Sequence, residues 1–211
     1  MTETVSVSIC CPSCIEEGQF TQYKKIDIIN SPELREKIFS RDIFKYKCPE
    51  CGAEILVAYE CMYLDSENKH IVCLLPEDSE EDLSRYRLEG CTFRVVRTIN
   101  AFAEKISMLE DGIDDRVIEL YKILFEEEFE SQRPGSKLLD IFYAGRDASS
   151  SKLHFFFIAD DGENCETTLG MDTYRSFYEH FLSTKFAEEN NAEINADWAL
   201  DAISGGVLEI N

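Results

Sequence analysis

Apolar and polar residues alternate at the start of the chain, where Val5, Val7 and Ile9 interleave with Thr4, Ser6 and Ser8. A period of two predicts a strand. A second strand is predicted from Phe20 to Ile29, after Gly18. Ser31-Pro32-Glu33 then reads as a helix start, with serine as cap, proline at the first helical position and an acid in the first turn. Leu34, Ile38 and Phe39 give that short helix one apolar side. From Ile43 the alternation returns, with Phe44 and Tyr46 against Lys45 and Lys47. Residues 54–64 and 70–75 are rich in β-branched and aromatic types, and Asp65-Ser66-Glu67-Asn68-Lys69 between them reads as a hairpin connection. The acidic run from Glu77 to Asp82 is expected to be an exposed loop or linker.

After a short strand from Phe93 to Val96 the period changes to about 3.6. Ile99, Phe102, Ala103, Ile106 and Leu109 mark one side of a helix ending near Gly112. A second helix starts at Asp114 or Asp115, carries Val117, Tyr121, Leu124, Phe125 and Phe129, and is closed by Pro134-Gly135. Three strands follow, over 138–143, 153–159 and 165–169, with turns at 147–151 and 160–164. A helix from Asp172 presents Tyr174, Phe177, Tyr178, Phe181 and Phe186, and a last helix from Asn195 presents Trp198, Ala199, Ala202 and Ile203. The expected class is α+β: a zinc-ribbon-like antiparallel β region with connecting helices, and a C-terminal part of β-hairpin and helix. Two regions are expected, 1–130 (ribbon and hairpin over 1–76, helices over 98–130) and 136–211.

Charge narrows the partners. With 21 Lys and Arg against 42 Asp and Glu, the formal net charge is −21. Nucleic-acid affinity rests on cations displacing counterions from phosphates, so such a role is disfavoured. The acidic excess reads first as a solubilising surface, and second as a docking face for a basic protein partner. The N-terminus has no basic segment followed by an apolar one, so no signal peptide is expected, and no apolar run approaches the roughly 18 residues of a membrane span. Nine cysteines, an odd number, then suggest a reducing, cytoplasmic setting in which thiols stay free or hold metal.

Four of those cysteines form two hooks, Cys11-Pro12-Ser13-Cys14 and Cys48-Pro49-Glu50-Cys51. Cysteines two residues apart can aim both sulfurs inward from one tight turn, and two such turns complete a tetrahedral shell. Proline after the first cysteine presets φ, and a residue free to take positive φ after the second leaves backbone N–H groups for the sulfurs. Gly52 suits that place, whereas Ile15 predicts a strained or differently turned first knuckle. Four thiolates with no open position favour structural Zn2+ over a catalytic metal; iron and a redox dithiol are the alternatives. Cys11, Cys14, Cys48 and Cys51 are therefore the expected metal ligands. Cys10 could replace Cys11 only with three residues before Cys14, so Cys11 is preferred. Cys61, Cys73, Cys91 and Cys165 read as small core residues.

The hooks, together with Ser31-Pro32-Glu33-Leu34, Asp42-Ile43-Phe44, Tyr63-Leu64-Asp65, Arg94-Val95-Val96, Glu104-Lys105-Ile106 and the stretch from Glu110 to Asp115, resemble the CpXC family of bacterial and archaeal proteins. The resemblance runs from about Ile9 to Phe129. It implies a zinc-ribbon-like module and supplies no activity and no catalytic residues.

Little points to catalysis. His70, His154 and His180 have no ligand spacing and read as structural or surface histidines. Asp114-Asp115 reads as a helix cap and Asp160-Asp161 as a turn. No phosphate-cradling loop, nucleophile elbow or dinucleotide fingerprint is present. The expected function is a structural-zinc module for protein interaction. The alternatives are an enzyme with a non-obvious site, or an acidic mimic of nucleic acid that binds a basic partner.

Overall fold

In the computed structural model, which describes residues 1–76, 87–189 and 191–208, the chain is α+β and divides into two compact units, Met1–Ala103 and Glu104–Asn211. The acidic run from Glu77 to Asp82 lies outside the described residues.

The first unit is built on a five-stranded sheet in the order β1-β2-β5-β6-β7. Strands β1 (Glu3–Cys10) and β2 (Glu17–Asp27) pair antiparallel, as do β5 (Cys61–Asp65) and β6 (His70–Leu74). The pairs β2–β5 and β6–β7 (Thr92–Val96) are parallel. A parallel pair needs a long crossover. Between β2 and β5 that crossover contains helix α1 (Leu34–Phe39), a 3-10 turn (Asp42–Phe44) and a small hairpin of β3 (Lys45–Lys47) and β4 (Glu54–Leu56).

Two local details differ from the sequence reading. Helix α1 begins at Leu34, whose N–H bonds the Ser31 carbonyl, while the Ser31 hydroxyl pairs with Thr2 instead of capping. The predicted strand over 54–64 is split into β4 and β5. In the gap, Val57 donates to the Phe44 carbonyl, and the Tyr59 hydroxyl donates to the Ile43 carbonyl and accepts from the Tyr23 N–H. The 65–69 connection is as expected. Asp65 accepts from the Glu67 and Asn68 N–H groups and the Asn68 amide, and Lys69 takes positive φ. Burying Phe20, Ile26, Ile38, Phe44, Tyr63, Ile71, Leu74 and Phe102 gives this unit its core.

In the second unit, α3 (Asp115–Gln132), α4 (Met171–Leu182) and α5 (Ala196–Ser204) accompany an antiparallel sheet ordered β10-β9-β8, comprising β8 (Leu138–Asp147), β9 (Lys152–Ala159) and β10 (Cys165–Gly170). Helix α2 (Ile99–Glu110) contains the division between the units. Alternate residues of β9, namely Leu153, Phe155, Phe157 and Ala159, are buried with Tyr121, Phe129, Tyr174 and Phe181, so the aromatic helix stripes are core, as their spacing predicts. Asp114 caps α3 by accepting from the Arg116 N–H, and Asn195 caps α5 by accepting from the Trp198 N–H. Among the described residues no helix is long and apolar enough to cross a membrane.

Candidate metal centre

Each hook is the turn of a hairpin: the first joins β1 to β2, the second β3 to β4. The two turns share one backbone design. Cys11 N–H bonds the Glu16 carbonyl and Ile15 N–H returns to the Cys11 carbonyl; Cys48 N–H bonds the Ala53 carbonyl and Gly52 N–H returns to the Cys48 carbonyl. Both turns pass through a left-handed residue directly after the second cysteine, Ile15 at φ 68° and Gly52 at φ 72°. The first knuckle is thus turned like the second, and the strain expected at Ile15 is held in its backbone.

This design aims four sulfurs at one point. Cys11 Sγ lies 3.6 Å from Cys51 Sγ, and Cys14 Sγ lies 3.6 Å from Cys48 Sγ. All four fall within 4.8 Å of one another. Ligands on a tetrahedral ion with metal–sulfur bonds of about 2.3 Å stand about 3.8 Å apart, whereas a disulfide is about 2.05 Å. The spacing suits a four-sulfur metal shell, and four close cysteines could hold a metal ion here. Cys10 is outside the cluster: its thiol is directed at the Ile15 carbonyl, 3.3 Å away.

The peptide groups of the turns set the acidity of the thiols. Donation by the Cys51 N–H, aided by the Glu50 N–H and opposed by burial, pulls Cys48 down to about 6. The Cys14 and Ser13 N–H groups likewise lower Cys11. At Cys14 the Glu16 N–H pulls downward, but burial and the neighbouring sulfurs prevail and push it up to about 12. Cys51, which receives the Ala53 N–H, is also raised by burial and by Cys11 and Cys48. Two thiols with lowered pKa thus stand beside two with raised pKa, whose protons a bound cation would have to displace.

Around the cluster the packing is tight. Tyr46 on β3 meets Phe20 on β2 edge to face at 6.1 Å, and Phe20 meets Tyr59 at 5.8 Å. The buried Tyr46 hydroxyl has no nitrogen or oxygen partner; burial, and then the charge of Cys48, raise its pKa. A Cβ at residue 18 would collide with that hydroxyl, so Gly18 is needed for the approach of β3 to β2.

The remaining candidates lie apart from the cluster. His70 opens β6, His154 is opposite Thr168 of β10, and a His180 ring nitrogen lies 3.0 Å from the Val207 carbonyl. Asp160 and Asp161 shape the β9–β10 turn with Ser136, the Lys137 N–H and the Glu163 N–H. Cys61 and Cys73 are buried, and burial raises both thiols, Cys73 to about 12, which suits core residues.

Sequence reasoning missed one charged cluster, which lies in the second unit. Lys105 Nζ, almost fully buried, is 3.0 Å from Asp115 Oδ2, 3.2 Å from Glu119 Oε1 and 2.9 Å from the Ile194 carbonyl. Lys122 Nζ bridges Glu104 at 2.8 Å and Glu119 at 3.4 Å. A signal was present. Lys105 follows Phe102 by three residues and precedes Leu109 by four, so a cation stands on an apolar helix face.

No curated protein and no solved structure matches the chain. A sequence model of one family does, over residues 9–122, which takes in both hooks, strands β2 to β7, helix α2 and the start of α3. With more than half of its 211 residues matched, the chain belongs to the CpXC protein family.

Proposed function

We propose that this protein is a zinc-binding module for protein interaction, with Cys11, Cys14, Cys48 and Cys51 as the ligands of one structural Zn2+. The convergence of four sulfurs within 4.8 Å, from two matched turns, carries the reading. An all-thiolate shell selects a soft or borderline cation and leaves no position for water or substrate, so the ion's work is structural. It joins the β1–β2 turn to the β3–β4 turn across 33 intervening residues, adding a cross-link to the aromatic packing of Phe20 against Tyr46. The interaction role is supported by what the knuckles display: Pro12, Ser13, Pro49 and Glu50 are exposed, as are the apolar side chains of Ile15 and Leu56. The high acidic charge disfavours nucleic acid as the partner, and a cytoplasmic setting keeps the thiols reduced.

Metal analysis of the purified chain tests the zinc assignment. The expected result is one zinc per chain, lost in Cys14→Ala and Cys48→Ala together with the cooperative unfolding of the first unit. Unchanged zinc and unchanged melting in both variants would refute it. For the interaction role, tagged wild-type and Cys48→Ala chains are compared in affinity capture from the host. A protein recovered only by the zinc-loaded form supports the role, and identical recoveries oppose it.

A further inference from the structure

Strand β1 is the outermost strand of the five-stranded sheet. It pairs with β2 on one side, and among the described residues no strand lines its other edge. The register shows which groups face that edge. Cys11 N–H bonds the Glu16 carbonyl, and antiparallel partners alternate between residues that exchange hydrogen bonds and residues that do not. Counting back through Ile9↔Gly18, Val7↔Phe20 and Val5↔Gln22, these three residues turn their backbone groups toward β2. Thr4, Ser6 and Ser8 turn theirs to the open edge.

Natural sheets protect such edges with lysine, proline, bulges or very short strands. From Thr4 to Ser8 the strand has no lysine, proline or glycine, and its one register irregularity lies before this stretch, between Glu3 and Thr4. Its residues are exposed apart from half-buried Val7. The stretch is also symmetric in kind: Thr4-Val5-Ser6-Val7-Ser8 reads alike in both directions about Ser6. On a two-fold axis through Ser6, an antiparallel copy sets Ser6 against Ser6, Thr4 against Ser8 and Val5 against Val7. The outward residues are then those that exchange bonds, about six in all. Hydroxyls meet on one face and valines on the other. Glu3, the only carboxylate of the strand, faces Ile9 of the second copy, so no like charges are opposed.

We propose that the open edge of β1 binds β1 of a second copy of this chain, joining two five-stranded sheets edge to edge in a two-fold dimer. The proposal names a partner for the interaction module described above and rests on that reading, though not on the identity of the ion.

Sedimentation of the full metal-loaded chain between about 1 and 100 µM tests it, because a dimer dissociates on dilution. Twice the monomer mass is expected at the upper end. Ser6→Pro removes an N–H that faces the open edge, so a monomer is expected, with unchanged zinc content and the melting of wild type diluted to monomer. Val5→Lys keeps the backbone and adds an edge charge, weakening the dimer about tenfold or more. It decides the matter if Ser6→Pro does not fold. A wild-type chain that is monomeric throughout, including one that captures the strand of another protein, overturns the proposal. So does a dimer that survives both substitutions. Zinc measured in the same samples separates the two claims: a zinc-loaded monomer refutes the dimer alone, and a zinc-free dimer refutes the metal alone.

Discussion

The Tyr46 hydroxyl occupies the space in which residue 18 would carry a Cβ, so the second knuckle's strand can approach the first only over a glycine. Gly18→Ala should therefore destabilise the first unit by about 1–3 kcal/mol through overpacking. Tyr46→Phe removes the colliding atom and costs little alone, because the hydroxyl has no nitrogen or oxygen partner. In the double variant the alanine penalty should shrink without vanishing, since ring carbons of residue 46 would still stand 3.0 and 3.2 Å from the new Cβ. Urea unfolding of the four metal-loaded chains gives the coupling. An alanine penalty of equal size with and without the hydroxyl would show that this contact is not its cause.

Ile15 and Gly52 occupy equivalent left-handed positions, but only one is a glycine. That conformation costs an L-residue about 1–2 kcal/mol. A glycine forfeits about 0.5–1 kcal/mol in chain entropy. Ile15 is 79% exposed, so little packing is lost with its side chain. Ile15→Gly should raise the stability of the first unit by up to about 1 kcal/mol and leave zinc stoichiometry unchanged, read as a higher urea midpoint at constant m-value. A lower midpoint would mean that the isoleucine makes a contact worth more than its strain.

The hooks and nearly every strand were legible because their signals are local. Alternation at Val5–Ile9, the Cys-Pro pairs and the polar stretch after Asp65 each lie within a few residues. The parallel pairing of β2 with β5 and of β6 with β7 was not, since register between distant segments is fixed by packing that no window contains. The buried charges of α3 were hidden for a related reason. Asp115, Glu119 and Lys122 are four and three residues apart, the spacing of a solvated helix face. Here that spacing lines a buried stripe, because α3 packs on more than one side.

The acidity of the four site thiols predicts how metal binding depends on pH. Cys14, pushed up to about 12, and Cys51, also raised, keep their protons at neutral pH, while Cys48 at about 6 has lost its own. Every ligand must be a thiolate in the complex, so zinc binding near pH 7 should release at least the two protons held by Cys14 and Cys51, and affinity should rise with pH. Below about 6 Cys48 also holds its proton, and the dependence should steepen. Zinc titration in a lightly buffered indicator solution counts the protons. Release near zero at pH 7 would place the ion on other groups.

Lys105 holds two carboxylates, Asp115 and Glu119, both almost fully buried. A buried ion pair adds little net stability over apolar residues of the same shape, but losing one partner strands the other charge at a cost of about 3–5 kcal/mol. Lys105→Met, which nearly conserves volume, should destabilise the second unit by that amount at pH 7. It should leave zinc content alone, because the cysteine cluster lies in the first unit. The sign of the pH dependence follows from linkage. Without the ammonium, burial favours the neutral form of the Asp115 carboxyl, so the folded variant binds a proton more readily than the unfolded chain does. The deficit relative to wild type should therefore narrow as pH falls toward 5 and widen above it. Adding Asp115→Asn to Lys105→Met should recover part of the loss at pH 7, because an amide is buried at lower cost than an unpaired carboxylate. Denaturant unfolding of wild type, single and double variants at pH 5 and 7 makes the comparison. A Lys105→Met penalty that is small at pH 7, or that does not change with pH, would mean that water reaches these carboxylates and that the cluster is a surface feature.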